Sequence, residues 1–184
     1  NASHYLSWNA TPWFSAGLFH ATLWGNVDED GKRRGFIWQY AQPFDVLRSP
    51  EYQTEDSHYA LTGLNLKFTP WRNHIFYTQF AYEDAYRSSL FSGSDVWDNR
   101  YAFQLGYKSF NIAGISHLDV QTELNYARPF MYAHNQESQQ YGHAQQPLAH
   151  PRGANFYESV SFLRYNYNRW FFEGKVQCLV FGRD

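Results

Sequence analysis

The feature that most constrains this chain is a strict period of two in polarity. Between His117 and Ala127, the residues Leu118, Val120, Thr122, Leu124 and Tyr126 alternate with His117, Asp119, Gln121, Glu123 and Asn125. Successive side chains of a β-strand point to opposite faces, so this segment separates oil from water only when extended. The same alternation sets Tyr101, Phe103, Leu105 and Tyr107 against Gln104, Gly106 and Lys108. Near the other end it sets Trp170, Phe172, Val176, Cys178 and Val180 against Glu173, Lys175 and Gln177. Two earlier segments follow suit: Ala60, Leu64, Leu66 and Phe68 oppose Gly63, Asn65 and Lys67, while Phe76, Thr78, Phe80 and Tyr82 oppose Tyr77, Gln79 and Glu83. The pattern is weaker in Ser3 to Ala10, in Trp13 to Trp24, and in Tyr157 to Asn168, where Arg164 interrupts the apolar side. The expectation is an all-β chain of about eight antiparallel strands, one architecture over residues 1–184.

Strand length and composition turn this pattern toward a membrane. The segments approach the roughly 9–11 residues that a tilted strand needs to cross a bilayer. Aromatic residues make up 21% of the chain, with 15 Tyr and 16 Phe, yet mean hydropathy is -0.63. Strands with one greasy and one wet face reconcile the two, and Tyr and Trp are the residues that settle at membrane interfaces. The connections alternate as well. Short turns are expected at Ala10 to Pro12, Thr69 to Asn73, Asn111 to Ser116 and near Asn168, with long connections at about 25–56, 87–99 and 128–156. Transmembrane barrels have short periplasmic turns and long extracellular loops in that order. Trp13, Trp71 and Trp170 stand at or just after short turns, where an indole anchors at headgroup level; ordinary packing beside a turn is the alternative.

Several function classes drop out. A net charge of -2 and a pI near 6.5 leave no basic stripe for a phosphate backbone, so nucleic acid is not an expected partner. No run of about 20 apolar residues provides a transmembrane helix. The sequence opens at NASHYLSWNA without a basic start or apolar core, so an export signal is expected to lie upstream or to have been removed. The single Cys178 cannot form an internal disulfide.

Chemistry-bearing residues concentrate in the third long connection. His134, His143 and His150 lie there with Arg128, Tyr132, Arg152, Asn155 and Glu158 nearby. Imidazoles suit Zn, Cu or Ni, but these spacings match no compact ligand motif, and no metal or cofactor is expected. Ser159 or Ser161 with His143 would make a nucleophilic pair, yet no elbow or orienting third group is visible, so no enzyme is expected. The preferred reading folds this connection into or over a barrel mouth, with Pro151 and Gly153 directing the backbone. The expected binding set is Arg128, Tyr132, His134, His143, His150, Asn155 and Glu158. Lys67, Glu83, Lys108, Asp119, Glu123, Glu173 and Lys175 are expected to form a lumen network of mixed sign, since charges away from water need partners. Loop aromatics such as Tyr40, Phe44, Tyr52, Phe91, Trp97, Phe130 and Tyr141 either pack the loops together or stack on sugars.

The run Arg128, Pro129, Tyr132, His134, followed by PLAHPRGANF from Pro147 to Phe156 and by Glu158, resembles the Wzi-type capsule-assembly barrels and the gliding-motility RemB group of Bacteroidetes. HYLSWN at His4 to Asn9, GLFHATLW at Gly17 to Trp24 and WQYAQP at Trp38 to Pro43 support the likeness. His20 stands where an acidic residue would be expected, and Arg152 where a less basic one would. The resemblance implies a larger outer-membrane barrel of which this chain is a part. It also implies a non-catalytic role in attaching surface polysaccharide or assembling surface machinery, with outer-membrane lipid around it. A diffusion or substrate-specific porin, and a soluble carbohydrate-binding β-sandwich, are the alternatives.

Overall fold

The computed structural model of the chain describes residues 2–24, 35, 58–83, 100–132, 142–143, 146–147 and 149–182. Eight strands form one antiparallel sheet: β1 (Ala2–Thr11), β2 (Phe14–Trp24), β3 (His58–Trp71), β4 (His74–Glu83), β5 (Tyr101–Ser109), β6 (Leu118–Ala127), β9 (Phe156–Tyr167) and β10 (Trp170–Phe181). Two-residue strands β7 (Gly142–His143) and β8 (Gln146–Pro147) pair separately. The spatial order is β1-β2-β3-β4-β5-β6-β9-β10, so each strand lies beside its neighbour in sequence apart from the small β7–β8 pair. The sheet is not closed: among the described residues β1 and β10 have no second partner. No described segment is an α-helix, and the one helical turn is 3-10, at Ile112–Gly114.

The strands form where polarity alternates, because the register stacks like on like. Leu124 pairs with Leu105, Leu105 with Thr78, and Phe103 with both Tyr126 and Phe80. On the opposite side Glu123 pairs with Gly106, Lys108 with Gln121, and Asp119 with Arg164. A slip of one residue would exchange the two sides of a strand, so the pattern fixes the register. β9 departs from expectation. Phe156, Val160 and Phe162 share the side of Glu158 and Arg164, while Ser159 and Ser161 lie on the face of Leu124 and Val120. The hydroxyl oxygens of Ser161 and Thr122 are 2.7 Å apart, which satisfies both on that face.

We call the polar side, against which residues 128–132 and 149–155 fold, the inner face. Its aromatic rings lie against glycines: a Cβ on Gly17 would meet the Tyr5 ring, on Gly63 the Phe19 ring, and on Gly106 the Tyr77 ring. Glycine leaves a strand without side-chain packing, and a neighbouring ring laid over it restores contact. At the end with the long connections, Leu23, Leu61, Met131 and Phe156 form a small buried core with Ala81, Ala102 and Ala127.

The outer face is an apolar band between two aromatic rows. Leu18, Leu64, Phe76, Leu105, Leu124, Leu163 and Val176 are exposed in its middle. Trp13, Trp71 and Trp170 are exposed at the short turns, with Trp13 edge-on to Phe68 at 5.4 Å. Toward the long connections, Tyr101, Tyr126 and Tyr157 follow one another, with ring centroids 5.8 and 4.4 Å apart and Arg128 over Tyr101 at 5.5 Å. Tyr157 and Tyr167 mark the two ends of the outer row of β9, about 33 Å apart along an extended strand.

Three of the turns are tight and one is stiffened by its own side chains. Pro12–Trp13, Arg72–Asn73 and Asn168–Arg169 reverse the chain in two residues. In the longer Phe110–His117 turn, Asn111, Ala113 and His117 adopt positive φ. The His117 amide donates to Asn111 Oδ1 at 2.6 Å, and the Asn111 amide donates to Asp119 Oδ1 at 3.2 Å. Asn tolerates the left-handed region because its short side chain bonds locally.

Candidate functional site: an inner-face polar network closed by residues 128–132 and 149–155

Three carboxylates organise the inner face, each on a different strand because the polar positions of β4, β6 and β9 all point the same way. Glu158, on β9, is enclosed, with a side chain 6% exposed. Asn125 Nδ2 donates to Glu158 Oε2 at 3.0 Å and Gln177 Nε2 donates to Oε1 at 2.6 Å. His150 Nε2 lies 3.1 Å from Oε2, and Arg152 Nε lies 3.6 Å from Oε1. A buried carboxylate is tolerable when its lone pairs are filled in this way.

The tether fixes the protonation pattern of His150. The Arg152 amide donates to His150 Nδ1 at 3.2 Å, which leaves Nε2 as the proton-bearing nitrogen facing Glu158. Burial lowers the His150 pKa below the usual histidine range, against the opposing pull of Glu158. The imidazole also packs at a tilt against the Phe156 ring, with centroids 4.5 Å apart. Gly153, with φ 74°, and Asn155, with φ 58°, turn the chain, and the Asn155 carbonyl accepts from the Gly182 amide at 2.9 Å. Residues 149–155 are thereby joined to β9 and to the end of β10.

Glu83 holds the other half of the closure. Its Oε2 accepts from Arg100 Nη1 at 3.1 Å, and its Oε1 accepts from the Tyr132 amide. Phe130 and Tyr132 both have positive φ, near 62° and 68°. Bulky residues in that region cost about 1–3 kcal/mol each, so tertiary contacts must hold them there. Met131, 1% exposed, supplies the apolar contact between them.

Glu123, on β6, accepts from the Tyr77 hydroxyl, from Gln121 Nε2 at 2.7 Å and from Gln104 Nε2 at 3.4 Å. Tyr77 is on β4, so its contact with β6 passes over Gly106 of β5. Arg164 donates from Nε to Glu173 Oε2 at 2.6 Å and from Nη1 to Gln121 Oε1 at 3.2 Å.

The expected site residues therefore separate. Glu158, His150, Asn155 and Tyr132 gather at one end of the inner face, whereas Arg128 joins them only through its carbonyl, which accepts from the Asn155 amide at 3.2 Å, its guanidinium lying over Tyr101 on the outer face. His134 lies outside the described residues, as do Tyr40, Phe44, Tyr52, Phe91, Trp97, Tyr141, and the connections at 36–57 and 84–99; of His143 only the backbone, in β7, is described. The expected network residues Lys67, Glu83, Lys108, Asp119, Glu123, Glu173 and Lys175 all lie on the inner face. The lysines find no carboxylate among the described residues. Lys108 lies over the Tyr77 ring and Lys175 over the Phe162 ring, each at 5.4 Å. Asp119 serves the turn at Asn111. Arg164, which as a sequence interrupts an apolar side, is an inner-face cation paired with Glu173, and its even spacing from Glu158 was the available signal. Arg100 lies just outside β5, and no sequence pattern marked it. Ser159 and Ser161 are on the outer face, away from His150. Among the described residues no three His, Cys, Asp or Glu side chains gather as a metal site would require.

Compared with known protein families, curated proteins and solved structures, the chain matches none.

Proposed function

We propose that this chain is part of a transmembrane β-barrel of a Gram-negative outer membrane, acting without catalysis in the attachment of surface polysaccharide or the assembly of surface machinery. The observation that carries the membrane reading is the outer face: an exposed band of Leu, Phe and Val bounded by tryptophans at one end and tyrosines at the other. In water such a face would be a large unprotected apolar patch, whereas in lipid it is the expected surface. The unpaired, charge-poor edge of β1 favours continuation of the sheet into a larger barrel. The surface role rests on the Wzi-type and RemB resemblance at Arg128, Tyr132 and Pro147 to Glu158; of these, Arg128, Tyr132 and residues 149–158 lie at the long-connection end. There the inner-face carboxylates tie residues 128–132 and 149–155 to the strands, as suits a rigid presentation surface.

A porin is the rival that a specific observation favours, since Lys67, Lys108 and Lys175 have no carboxylate partner among the described residues and suit a wet interior. Membrane extraction followed by single-channel recording tests both. The proposal expects release only with detergent and no steady conductance in planar bilayers. Stable ohmic conductance would transfer the assignment to a porin, and release of folded protein by a carbonate wash would sink the membrane reading altogether. Deleting Pro147 to Asn155 should abolish retention of polysaccharide or partner at the surface; full retention would refute the role given to that segment.

A further inference from the structure

The inner face carries a cavity whose shape follows from two adjacent rows of the register. Ala81 pairs with Ala102 and Ala102 with Ala127, so three methyl groups lie side by side across β4, β5 and β6. One pleat nearer the short turns, Gln79 pairs with Gln104 and Gln104 with Asn125, giving a parallel row of three carboxamides. The alanines are too small to fill the space beneath the covering segment. A cavity of about 320 Å³ remains, flanked by Phe19 and Phe156 and covered by Tyr132, His150 and Pro151. Small-molecule sites begin at about this size and combine apolar walls with a few placed polar groups.

The carboxamides keep unused hydrogen-bonding capacity. Asn125 gives its Nδ2 to Glu158, while its buried Oδ1 has no partner among the described residues. Gln104 gives Nε2 to Glu123 and keeps Oε1, and the Gln79 carboxamide makes no hydrogen bond among the described residues. A buried acceptor without a donor is costly, so a ligand hydroxyl that reaches it gains the whole of that correction. The carboxylates nearby already have their donors: Glu158 has four around it, and the inner-face neighbour Glu123 has three. The vacant groups are therefore neutral, and so is the ligand they suit.

We propose that this cavity binds a single neutral pyranose-sized sugar, with the apolar C–H face of the ring on the alanine row and its hydroxyl edge along Gln79, Gln104 and Asn125. A row of methyls offers a flat apolar floor, and carboxamides both donate and accept, as vicinal hydroxyls require. A space of about 320 Å³ suits one ring, so the proposal concerns a single sugar and does not depend on retention of a polymer at the surface.

The test is a titration of the full chain in detergent micelles with glucose, galactose, mannose and N-acetylglucosamine, read by calorimetry. At least one should bind saturably. Ala102→Leu, which fills the floor, should abolish binding without lowering the melting temperature. Gln79→Leu should weaken it roughly tenfold, the loss of one hydrogen-bonding group. Lys67→Gln, outside the cavity, should bind as the parent does. Absence of saturable binding by all four sugars overturns the proposal, and so does undiminished binding by Gln79→Leu, which decides the matter if Ala102→Leu fails to fold.

Discussion

Replacing Leu124 by arginine separates a lipid-facing strand from one that faces water. Leu124 stands mid-strand on β6, on the outer face, opposite Leu105 on one side and Ser159 on the other, and is 50% exposed. In water, a side chain so exposed would exchange for arginine within about 0.5 kcal/mol, because the guanidinium would remain hydrated. Near a bilayer midplane the same change costs about 2–4 kcal/mol, since no outer-face anion lies beside it. Glu123→Gln is the matched control on the opposite face. It weakens charge-assisted hydrogen bonds from Tyr77, Gln104 and Gln121, at about 1–2 kcal/mol, and introduces no charge into lipid. Folding into lipid vesicles, followed by the gel shift between folded and heated protein and by urea titration, should rank Leu124→Arg below Glu123→Gln. If Leu124→Arg folds with unchanged stability, the outer face does not meet hydrocarbon and the reasoning fails.

Three further outcomes follow from the inner face. Phe156→Ala, at a side chain 2% exposed beneath the His150 ring, should cost about 3–5 kcal/mol in urea unfolding, and a loss under 1 kcal/mol would show that the small core does not secure the closure. Gly106→Ala would drive a Cβ into the Tyr77 ring; it should displace that ring from Glu123 and cost about 1–3 kcal/mol, visible as a lost near-ultraviolet signal. Because burial lowers the His150 pKa, the unfolded chain binds a proton that the folded chain resists. The stability His150 contributes is therefore complete above the ordinary histidine range near 6.5 and is lost as pH falls from there toward the lower folded value. Melting temperatures measured across that window should fall more steeply for the parent than for His150→Gln, and parallel curves would contradict the assignment.

The strand pairing was legible because polarity with a period of two has only one consistent register once a face is chosen. Leu118 to Ala127 and Tyr101 to Ser109 needed no tertiary information, and the short turns between strands lie within a residue or two of where the turn-forming residues stand. β9 was less legible. Its Ser159 and Ser161 look polar in sequence, yet a hydroxyl can hydrogen-bond to a neighbouring strand, as Ser161 does to Thr122, and so occupy an apolar face. Arg164 likewise reads as an interruption until Glu173 is seen opposite it.

By itself, then, the sequence determined the all-β class, the pairing of sequential strands and, outside β9, which side chains share a face, since these depend on local alternation and short connections. Only the tertiary structure decided which inner-face groups meet. Glu158 collects His150 and Arg152 from before β9, Asn125 from β6 and Gln177 from β10, and Glu83 captures the Tyr132 amide from far along the chain. Those partnerships depend on how the connections return across the sheet, and residue spacing carries no record of that path. The alanine and carboxamide rows show the same division: each residue is unremarkable on its own strand, and only the register sets three of a kind side by side.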